Sequence, residues 1–249
     1  MDERATGGKD EREKMIEMVF VDIEEEVSSQ DHDTLLGICS LEKRMEANRF
    51  RCESDRKRAV YGEALARYMV AGKIGLSMNE LIFDKNRYGK PYIRGQQRIF
   101  FNLSHSGRYV ICGLDQEEIG IDIEEVKSMD FGIARKFFHA NEYTYLLSRE
   151  PEQRMDALFE LWTLKESYIK FLGVGLQKPL DAFYFNLEGS SVELHSSDRI
   201  PAFIQSCTIK GSYKVAVCAD SPGPIQVRQI SIKDIVSSVG REGLQHTRE

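Results

Sequence analysis

The sequence has 249 residues, of which 41% are hydrophobic and 30% charged, a composition typical of a folded globular protein. Its formal net charge of −6 argues against sequence-independent nucleic-acid binding, and no apolar run approaches the ~20 residues that span a bilayer. No signal peptide precedes the first predicted strand, and the five cysteines form no Cys-x-x-Cys pair. We therefore expect a reduced, cytoplasmic protein without nucleic-acid or membrane partners.

The first half of the chain predicts a strand, two helices and a pair of strands. Residues 1–13 are charged, with no large apolar side chain beyond Met1, and predict a disordered tail. The further elements are a strand over 19–23, a helix after the capping residue Ser40, a helix over 54–72, and strands over 99–103 and 109–114.

The pair of strands is joined by a polar turn, Ser104-His105-Ser106-Gly107. A histidine in such a turn is more often an ordinary surface residue than a functional one. Beside Ser104 and exposed backbone amides, however, His105 can donate a hydrogen bond to a phosphate. The turn alone does not decide between these interpretations.

Residues 120–124, Gly-Ile-Asp-Ile-Glu, alternate between apolar and acidic side chains. Successive side chains of a strand point to opposite faces, so Ile121 and Ile123 would enter the core while Asp122 and Glu124 share the other face. Two carboxylates held this close repel each other, and one takes up a proton unless a cation lies between them. An edge strand whose acids face water is the alternative.

A long helix is predicted between Pro151, a favoured first residue, and Gly173, a favoured terminator. Its apolar residues recur at three- and four-residue steps and predict a face toward the core: Met155, Leu158, Phe159, Trp162 and Ile169. Glu166 continues this face, and a buried acid needs a partner or a metal because an unpaired buried charge is costly. Lys170 lies one turn further, so a Glu166–Lys170 salt bridge is the alternative.

The second half of the chain repeats the order of the first. Strands are predicted over 182–187, 192–195, 203–210 and 215–219. Gly107-Arg-Tyr109 and Gly211-Ser-Tyr213 each open an apolar stretch that contains a cysteine and ends in aspartate. This faint repeat predicts an α+β fold of two similar halves packed face to face. The halves would cover residues 14–116 and 117–237, followed by a C-terminal tail over 238–249.

Three of the acids fit the ligand preference of Mg²⁺, which binds carboxylates, retained waters and substrate phosphates. These are Asp122, Glu124 and Glu166, and Mn²⁺ would serve as well. The histidines and cysteines show no zinc-ligand spacing. The junction of two halves is a usual place for a ligand, so a metal-bound pyrophosphate is expected there.

Four segments together resemble the Sfp-type 4′-phosphopantetheinyl transferases. They are residues 88–91 (Tyr-Gly-Lys-Pro), 102–107 (Asn-Leu-Ser-His-Ser-Gly), 120–124 (Gly-Ile-Asp-Ile-Glu) and 162–170 (Trp-Thr-Leu-Lys-Glu-Ser-Tyr-Ile-Lys). The last two are the most specific, and the likeness spans about residues 19–219. The family's fold, two similar halves related by a pseudo-twofold axis, would account for the repeat.

The resemblance implies a reaction in which the phosphopantetheine arm of coenzyme A moves to a serine hydroxyl of an apo acyl or peptidyl carrier protein. Adenosine 3′,5′-bisphosphate is released. The implied site residues are the Mg²⁺ ligands Asp122, Glu124 and Glu166, the phosphate contacts Lys170 and His105, and the coenzyme contacts Lys43, Lys90 and Ser104. Glu166, or a water that it orients, is the candidate base, with Lys170 and His105 as its catalytic partners.

Two positions depart from the family pattern. A second lysine expected three residues after Lys43 is Glu46, and a threonine that contacts coenzyme A aligns with Ala59. We expect these changes to alter coenzyme affinity rather than the chemistry. The missing positive charge would come from Arg49, Lys57 or Arg58.

Carrier proteins in such systems are typically acidic helical bundles, so a basic or apolar docking patch is expected on this chain. Residues 131–138 and 143–147 are the candidates, with plain helix core as the alternative. By the resemblance, the two-half organisation favours a monomer that serves nonribosomal-peptide or polyketide (antibiotic) synthesis.

Two other functions stay open at this point. One is a Mg²⁺-dependent hydrolase of coenzyme A or nucleotide pyrophosphates, although no separate water-activating constellation is present. The other is a non-catalytic binder of coenzyme A or of a carrier domain, which would have no need of Glu166.

Overall fold

The structure, a computed structural model, describes residues 15–189, 191–201 and 203–245. The tail predicted over residues 1–13 lies outside the described residues. None of the helices in the described part of the chain is both long and apolar enough to cross a bilayer.

The strands are β1 (Ile16–Asp22), β2 (Phe83–Lys85), β3 (Pro91–Ile93), β4 (Phe100–Ser106), β5 (Tyr109–Asp115), β6 (Ile119–Glu125), β7 (Tyr184–Asn186), β8 (Glu193–His195), β9 (Phe203–Ile209), β10 (Tyr213–Ala219) and β11 (Ile225–Gln229). The helices are α1 (Ser29–Ile38), α2 (Leu41–Ala47), α3 (Glu53–Ile74), α4 (Gly132–Phe137), α5 (Ala140–Ser148), α6 (Arg154–Leu172) and α7 (Ile232–Gln245). A 3₁₀ turn, Pro151–Gln153, leads into α6, and Gly173 ends α6 in the left-handed conformation that glycine favours.

The two halves of the chain have the same strand topology, which confirms the predicted α+β fold of two similar halves. The first sheet contains the order β1-β5-β4 and the second has the order β6-β10-β9, with antiparallel neighbours in both. A long helix follows the first strand of each half, α3 in one and α6 in the other. The repeated tyrosines, Tyr109 and Tyr213, open the equivalent strands β5 and β10, and their rings touch at 4.7 Å.

The central strands β5 and β10 are buried on both faces, so they read as nearly continuous apolar runs. On β1, Val19 and Val21 pack in the core beneath α3, whereas Met18 and Phe20 point the other way. The opposite faces meet in a central core between the halves, built from β1, β5, β6 and β10. The two-layer packing places β4 beside β6 at the seam, where the predicted site residues lie.

The C-terminal segment departs from the predicted boundaries, because it returns to the first half. β11 pairs with β1 in parallel, and α7 packs against α1 and α3 with Ile232 and Ile235 fully buried. The second half therefore ends before residue 225 rather than at 237. Residues 238–245, predicted as tail, continue α7 because Val236 and Val239 extend its apolar face into the core, whereas residues 246–249 lie outside the described residues.

Candidate active site

Polar side chains of β4, in the first half, bind to β6, in the second half, along the boundary that we call the seam. β6 is an edge strand of its own sheet, so one row of its backbone groups has no strand to pair with. The amide oxygen of Asn102 accepts a hydrogen bond from the backbone of Ile121 at 3.0 Å, and Ser106 Oγ accepts one from Glu125 N at 3.1 Å. The alternating Asn-x-Ser-x-Ser pattern of β4 thus replaces part of a backbone ladder.

The same serines orient the two acids of β6, which share the face toward α6 as the alternation predicted. Ser104 Oγ donates to Asp122 Oδ1 at 2.7 Å, and Ser106 Oγ donates to Glu124 Oε2 at 2.7 Å. Asp122 is 3% exposed, and its other oxygen, Oδ2, is buried without a hydrogen-bond partner. An unsatisfied buried carboxylate oxygen is costly, which marks this position as one that a further group would complete.

Helix α6 presents one partly exposed face to these acids. Trp162, Glu166 and Lys170 follow each other at four-residue steps on this face, whereas Leu158, Leu161, Leu164 and Tyr168 of the same helix are buried. Lys170 Nζ bonds to Asp122 Oδ1 at 2.5 Å and to Ser104 Oγ at 2.8 Å. The alternative of a Glu166–Lys170 salt bridge is therefore not what the structure shows, because the lysine pairs across the seam instead.

Two of the three carboxylates are poor anions in this setting. Burial, followed by repulsion from Asp122, raises the pKa of Glu124 to about 7, with Ser106 and Lys170 opposing the shift. Burial and the same repulsion raise the pKa of Glu166. A cation beside them would remove this penalty, because it favours the charged form of each acid.

These observations fit a hard divalent cation that brings some of its own ligands. The donors are carboxylate oxygens, one of them orphaned, and their repulsion calls for positive charge. Across the described ranges, no three or more His, Cys, Asp or Glu side chains are gathered closely enough to hold a metal ion. Waters and substrate phosphates would have to complete the coordination, as is usual for Mg²⁺. The metal site stays a prediction.

The acids line a cleft of about 650 Å³ between the two halves. Its walls come from α2, α3, the β2–β3 hairpin, β4, β6 and α6, and its apolar floor includes Phe83, Phe101 and Leu103. A cavity of about 690 Å³ on the other side of α3, around His32 and Tyr61, contains none of the predicted site residues. Seven of the eight predicted residues line the cleft, and Lys90 is the exception: Lys43, Ser104, His105, Asp122, Glu124, Glu166 and Lys170.

His105 belongs to β4 rather than to the predicted turn, because the strand continues to Ser106 and the turn falls at Gly107-Arg108. Its side chain is exposed and lines the cleft. Desolvation by the cleft walls lowers its pKa from the ordinary value of 6.5, and the nearby Arg58 and Lys170 cations lower it further. His105 is therefore neutral at pH 7 and offers one ring N–H to a ligand.

The structure separates the candidate coenzyme contacts. Lys43 lines the cleft, where Glu46 Oε2 pairs with its ammonium at 2.8 Å. Lys90 departs from the role that the resemblance implied, because its ammonium is not in the cleft but is bonded to Glu118 at 2.6 Å. Ala59 lies in the cleft wall, as the family pattern suggests for that position.

Two contributions to the site were missed or left open by the sequence. Arg58 supplies a cation to the cleft and donates to Gly107 O at 2.6 Å, whereas Lys57 lines the other cavity. Asn102 and Ser106 have orienting roles that the polar alternation of residues 102–106 could have indicated. Their partners lie on β6, and sequence spacing does not show which strand lies beside β4.

Two family models match consecutive parts of the chain. The model of the 4′-phosphopantetheinyl transferase N-terminal region matches residues 26–116, and that of the 4′-phosphopantetheinyl transferase superfamily matches residues 118–218. The two matches meet at the junction between the two halves.

Characterised relatives match over most of the chain. The 4′-phosphopantetheinyl transferase Sfp of Bacillus subtilis is 36% identical over 214 residues, which cover 84% of this chain and 95% of that protein. The 4′-phosphopantetheinyl transferase gsp of Aneurinibacillus migulanus is 34% identical, covering 82% of this chain and 86% of that protein. A holo-[acyl-carrier-protein] synthase structure from Thermotoga maritima superposes on 40% of this chain and 60% of its own, at a TM-score of 0.35 and 22% identity.

Proposed function

Because the chain belongs to the 4′-phosphopantetheinyl transferase family, we propose that it transfers the phosphopantetheine arm of coenzyme A to a serine hydroxyl of an apo carrier protein. The observation that supports this most is the cleft at the seam. There Asp122, Glu124 and Glu166 form part of the lining, together with Lys170 and His105. Acids and cations at one place suit a substrate that carries adjacent phosphates and a metal.

The coenzyme's phosphates would meet the cations of the cleft. Lys170 and Arg58 bring basic side chains to the cleft, and His105 adds a neutral N–H donor. Lys43 stands toward the α2 end of the cleft, where the nucleotide end would lie. Charge-assisted hydrogen bonds of this kind are the strong ones in anion recognition.

Asp122, Glu124 and Glu166 would hold the divalent cation, Mg²⁺ or Mn²⁺. When bound, such an ion would neutralise negative charge on the pyrophosphate oxygens, including those on the phosphorus under attack. The residues that support it are already in place, since Ser104 and Ser106 fix the orientation of Asp122 and Glu124. Such orienting hydrogen bonds are a regular part of metal sites.

The transfer itself is an in-line displacement. The serine oxygen forms a bond to the phosphorus that carries the pantetheine, and the bond from that phosphorus to the bridging oxygen breaks. Adenosine 3′,5′-bisphosphate leaves with the electron pair. The serine proton goes to Glu166 or to a water that Glu166 orients, because the hydroxyl is a weak nucleophile until it loses its proton.

The partner is an apo acyl or peptidyl carrier domain, and we assign its pathway to nonribosomal-peptide or polyketide synthesis, with this protein acting as a cytoplasmic monomer. The candidate docking surface is residues 131–138 and 143–147, which lie in and beside α4 and α5. Phe137 and Leu147 are exposed there, 41% and 45%, and Arg135 and Lys136 are exposed beside them. Phe138 and Leu146 of the same stretch are buried core, so only part of the predicted patch is available.

The test is to incubate the protein with coenzyme A, Mg²⁺ and an apo carrier domain and to weigh the carrier by mass spectrometry. Transfer predicts a phosphopantetheine mass gain on the serine that is absent from a Ser-to-Ala carrier. Glu166→Gln should lose most of this gain if Glu166 accepts the proton. Coenzyme consumption with an unmodified carrier would instead indicate a hydrolase, and an unchanged mixture a binding protein.

A further inference from the structure

We infer that Lys90 is a positioning residue, which sets the spacing between β6 and α6 and does not contact the coenzyme. The inference rests on the proposed function, since β6 carries Asp122 and Glu124 and α6 carries Glu166. It reassigns a residue that the family resemblance places among the coenzyme contacts.

The ammonium of Lys90 bonds to both elements at once. It donates to Ile119 O, at the start of β6, at 3.1 Å and to Phe171 O, in the last turn of α6, at 3.2 Å. A third bond, to Glu118 Oε2 at 2.6 Å, completes the three donors of the ammonium. A carbonyl of the last helical turn normally lacks a partner, so Lys90 also caps α6.

Asn86, at the other end of the β2–β3 turn, also links this turn to the C-terminal end of α6. Its Nδ2 donates to Gly173 O, just past α6, at 2.8 Å, while its Oδ1 accepts from the backbone N–H groups of Tyr88 and Lys90. The turn is thereby stiffened where it meets the helix. The β2–β3 hairpin of the first half is thus hydrogen-bonded to the C-terminal end of α6, the helix that carries Glu166 and Lys170.

The charge of Lys90 is paired with a carboxylate that lies outside the cleft. Its side chain is only 13% exposed, and the Glu118 carboxylate neutralises it. Lys90 faces a separate cavity lined by Tyr92, Phe100 and Glu118, whereas its neighbours Gly89 and Pro91 line the cleft. A lysine committed to one carboxylate and two carbonyls would have to break three bonds to reach the cleft.

The distance between β6 and α6, which Lys90 sets, determines how far Glu166 lies from Asp122 and Glu124. A metal held by these three acids depends on that distance. Glu166 lies on α6 about one turn before Phe171, and Asp122 lies three residues after Ile119. A small shift of α6 along or away from β6 moves Glu166 relative to Asp122. Loss of residues that orient metal ligands typically costs 10- to 100-fold in metal affinity or activity.

The test compares Lys90→Met, Glu118→Gln and the double variant with Arg87→Met, which removes a cation from the same turn without touching β6 or α6. Three quantities are measured: kcat, Mn²⁺ affinity by electron paramagnetic resonance, and metal-free coenzyme A affinity from the fluorescence of Trp162. Trp162 is the only tryptophan of the chain and lines the cleft.

We expect Lys90→Met to lower kcat and Mn²⁺ affinity about 10-fold or more and to leave metal-free coenzyme affinity within about 2-fold. Glu118→Gln should act in the same direction, and the double variant should resemble the stronger single one because the two residues act as a unit. If Lys90→Met does not fold, Asn86→Ala, which loses the bond to Gly173, should show the same pattern more weakly.

A large loss of metal-free coenzyme affinity with unchanged Mn²⁺ affinity would overturn the inference and return Lys90 to the coenzyme site. So would a Lys90→Met enzyme that matches Arg87→Met in all three quantities. The Mn²⁺ and coenzyme measurements need no turnover, so they decide the role of Lys90 even if the wild-type protein transfers nothing to a carrier.

Discussion

Single side chains in the cleft take their charge state from their immediate neighbours. Asp122 bonds to Lys170 and Ser104, whereas Glu124, two residues away on the same face, has a pKa of about 7. His105 has a lowered pKa because desolvation and two cations oppose its protonation. Residue type alone would assign ordinary charges to all of these groups.

His105 should titrate below its ordinary pKa of 6.5 in the free protein. Its neutral form is favoured in the folded state, so this contribution to stability is present above pH 6.5 and is lost as the pH falls toward the lowered pKa. An NMR titration of the imidazole gives the midpoint, and Arg58→Gln should raise it. A midpoint at or above 6.5 in the wild-type protein would contradict the electrostatic description of the cleft.

Glu46 should weaken coenzyme binding, because it neutralises Lys43 in the cleft. Glu46→Gln is expected to lower the dissociation constant of coenzyme A about 2- to 5-fold, the range of a partly exposed ion pair. The change in Trp162 fluorescence on titration with coenzyme A measures this dissociation constant. Glu53→Gln is the matched control, since Glu53 pairs with Lys57 beside the other cavity. Equal effects of the two substitutions would show that only net charge matters.

The positions of Asp122, Glu124, Glu166 and Lys170 could be predicted from strand alternation and helical spacing, because both are local properties. The role of Lys90 could not. A long lysine side chain reaches several groups, and which of them lie near it depends on how β6 and α6 fold against the β2–β3 turn. The same holds for Lys165, which is adjacent to Glu166 but fully buried against Glu142 at 2.7 Å.

At the scale of elements, the site depends on the close crossing of β6 and α6. Gly120 permits this approach, since a Cβ there would lie 2.1 Å from Ser167 O and 2.2 Å from Phe171 N, both backbone atoms of α6. Backbone cannot move aside as a flexible side chain can. Gly120, the second residue of β6, therefore permits close packing, while Asp122 and Glu124 after it contribute to the site.

Gly120→Ala should separate β6 from α6. We expect the free energy of unfolding to fall by about 1–3 kcal/mol, the usual cost of overpacking, and the transfer rate to fall as well. Urea denaturation measures the first effect. Gly72→Ala is the control: a Cβ there meets nothing within 4 Å, and alanine is the better residue inside α3, by roughly 0.5–1 kcal/mol. A Gly120→Ala protein as stable as wild type would refute the tight crossing.

At the scale of the whole molecule, the repeat of Gly-x-Tyr signalled two equivalent halves, and the strand orders have the same topology. The sequence did not reveal that β11 and α7 return to the first half of the molecule. β11 is short and half polar, with the sequence Ile-Gln-Val-Arg-Gln. Nothing in this pattern identifies β1 as the strand with which it pairs. Pairing between strands some 200 residues apart is settled by the tertiary fold.

Removal of residues 225–249 should therefore destabilise the first half, whereas removal of an unpacked tail would leave its stability unchanged. It exposes the edge of β1 and the core that Ile230, Ile232 and Ile235 cover, each worth about 1.5–3 kcal/mol when buried. Such a loss is a large part of a typical domain stability of 5–15 kcal/mol. Thermal unfolding followed by circular dichroism should show a much lower Tm, and an unchanged Tm would mean that the segment is dispensable.

The central claim is that acids from two distant segments hold one divalent cation beside the coenzyme's pyrophosphate. The most direct measurement is a crystal structure with coenzyme A and Mn²⁺, in which anomalous scattering locates the ion. We expect one Mn²⁺ bound by Asp122, Glu124, Glu166 and pyrophosphate oxygens, with Lys170 moved from Asp122 to a phosphate. An ion held without these carboxylates, or Lys170 still bonded to Asp122 with no metal at the seam, would contradict it.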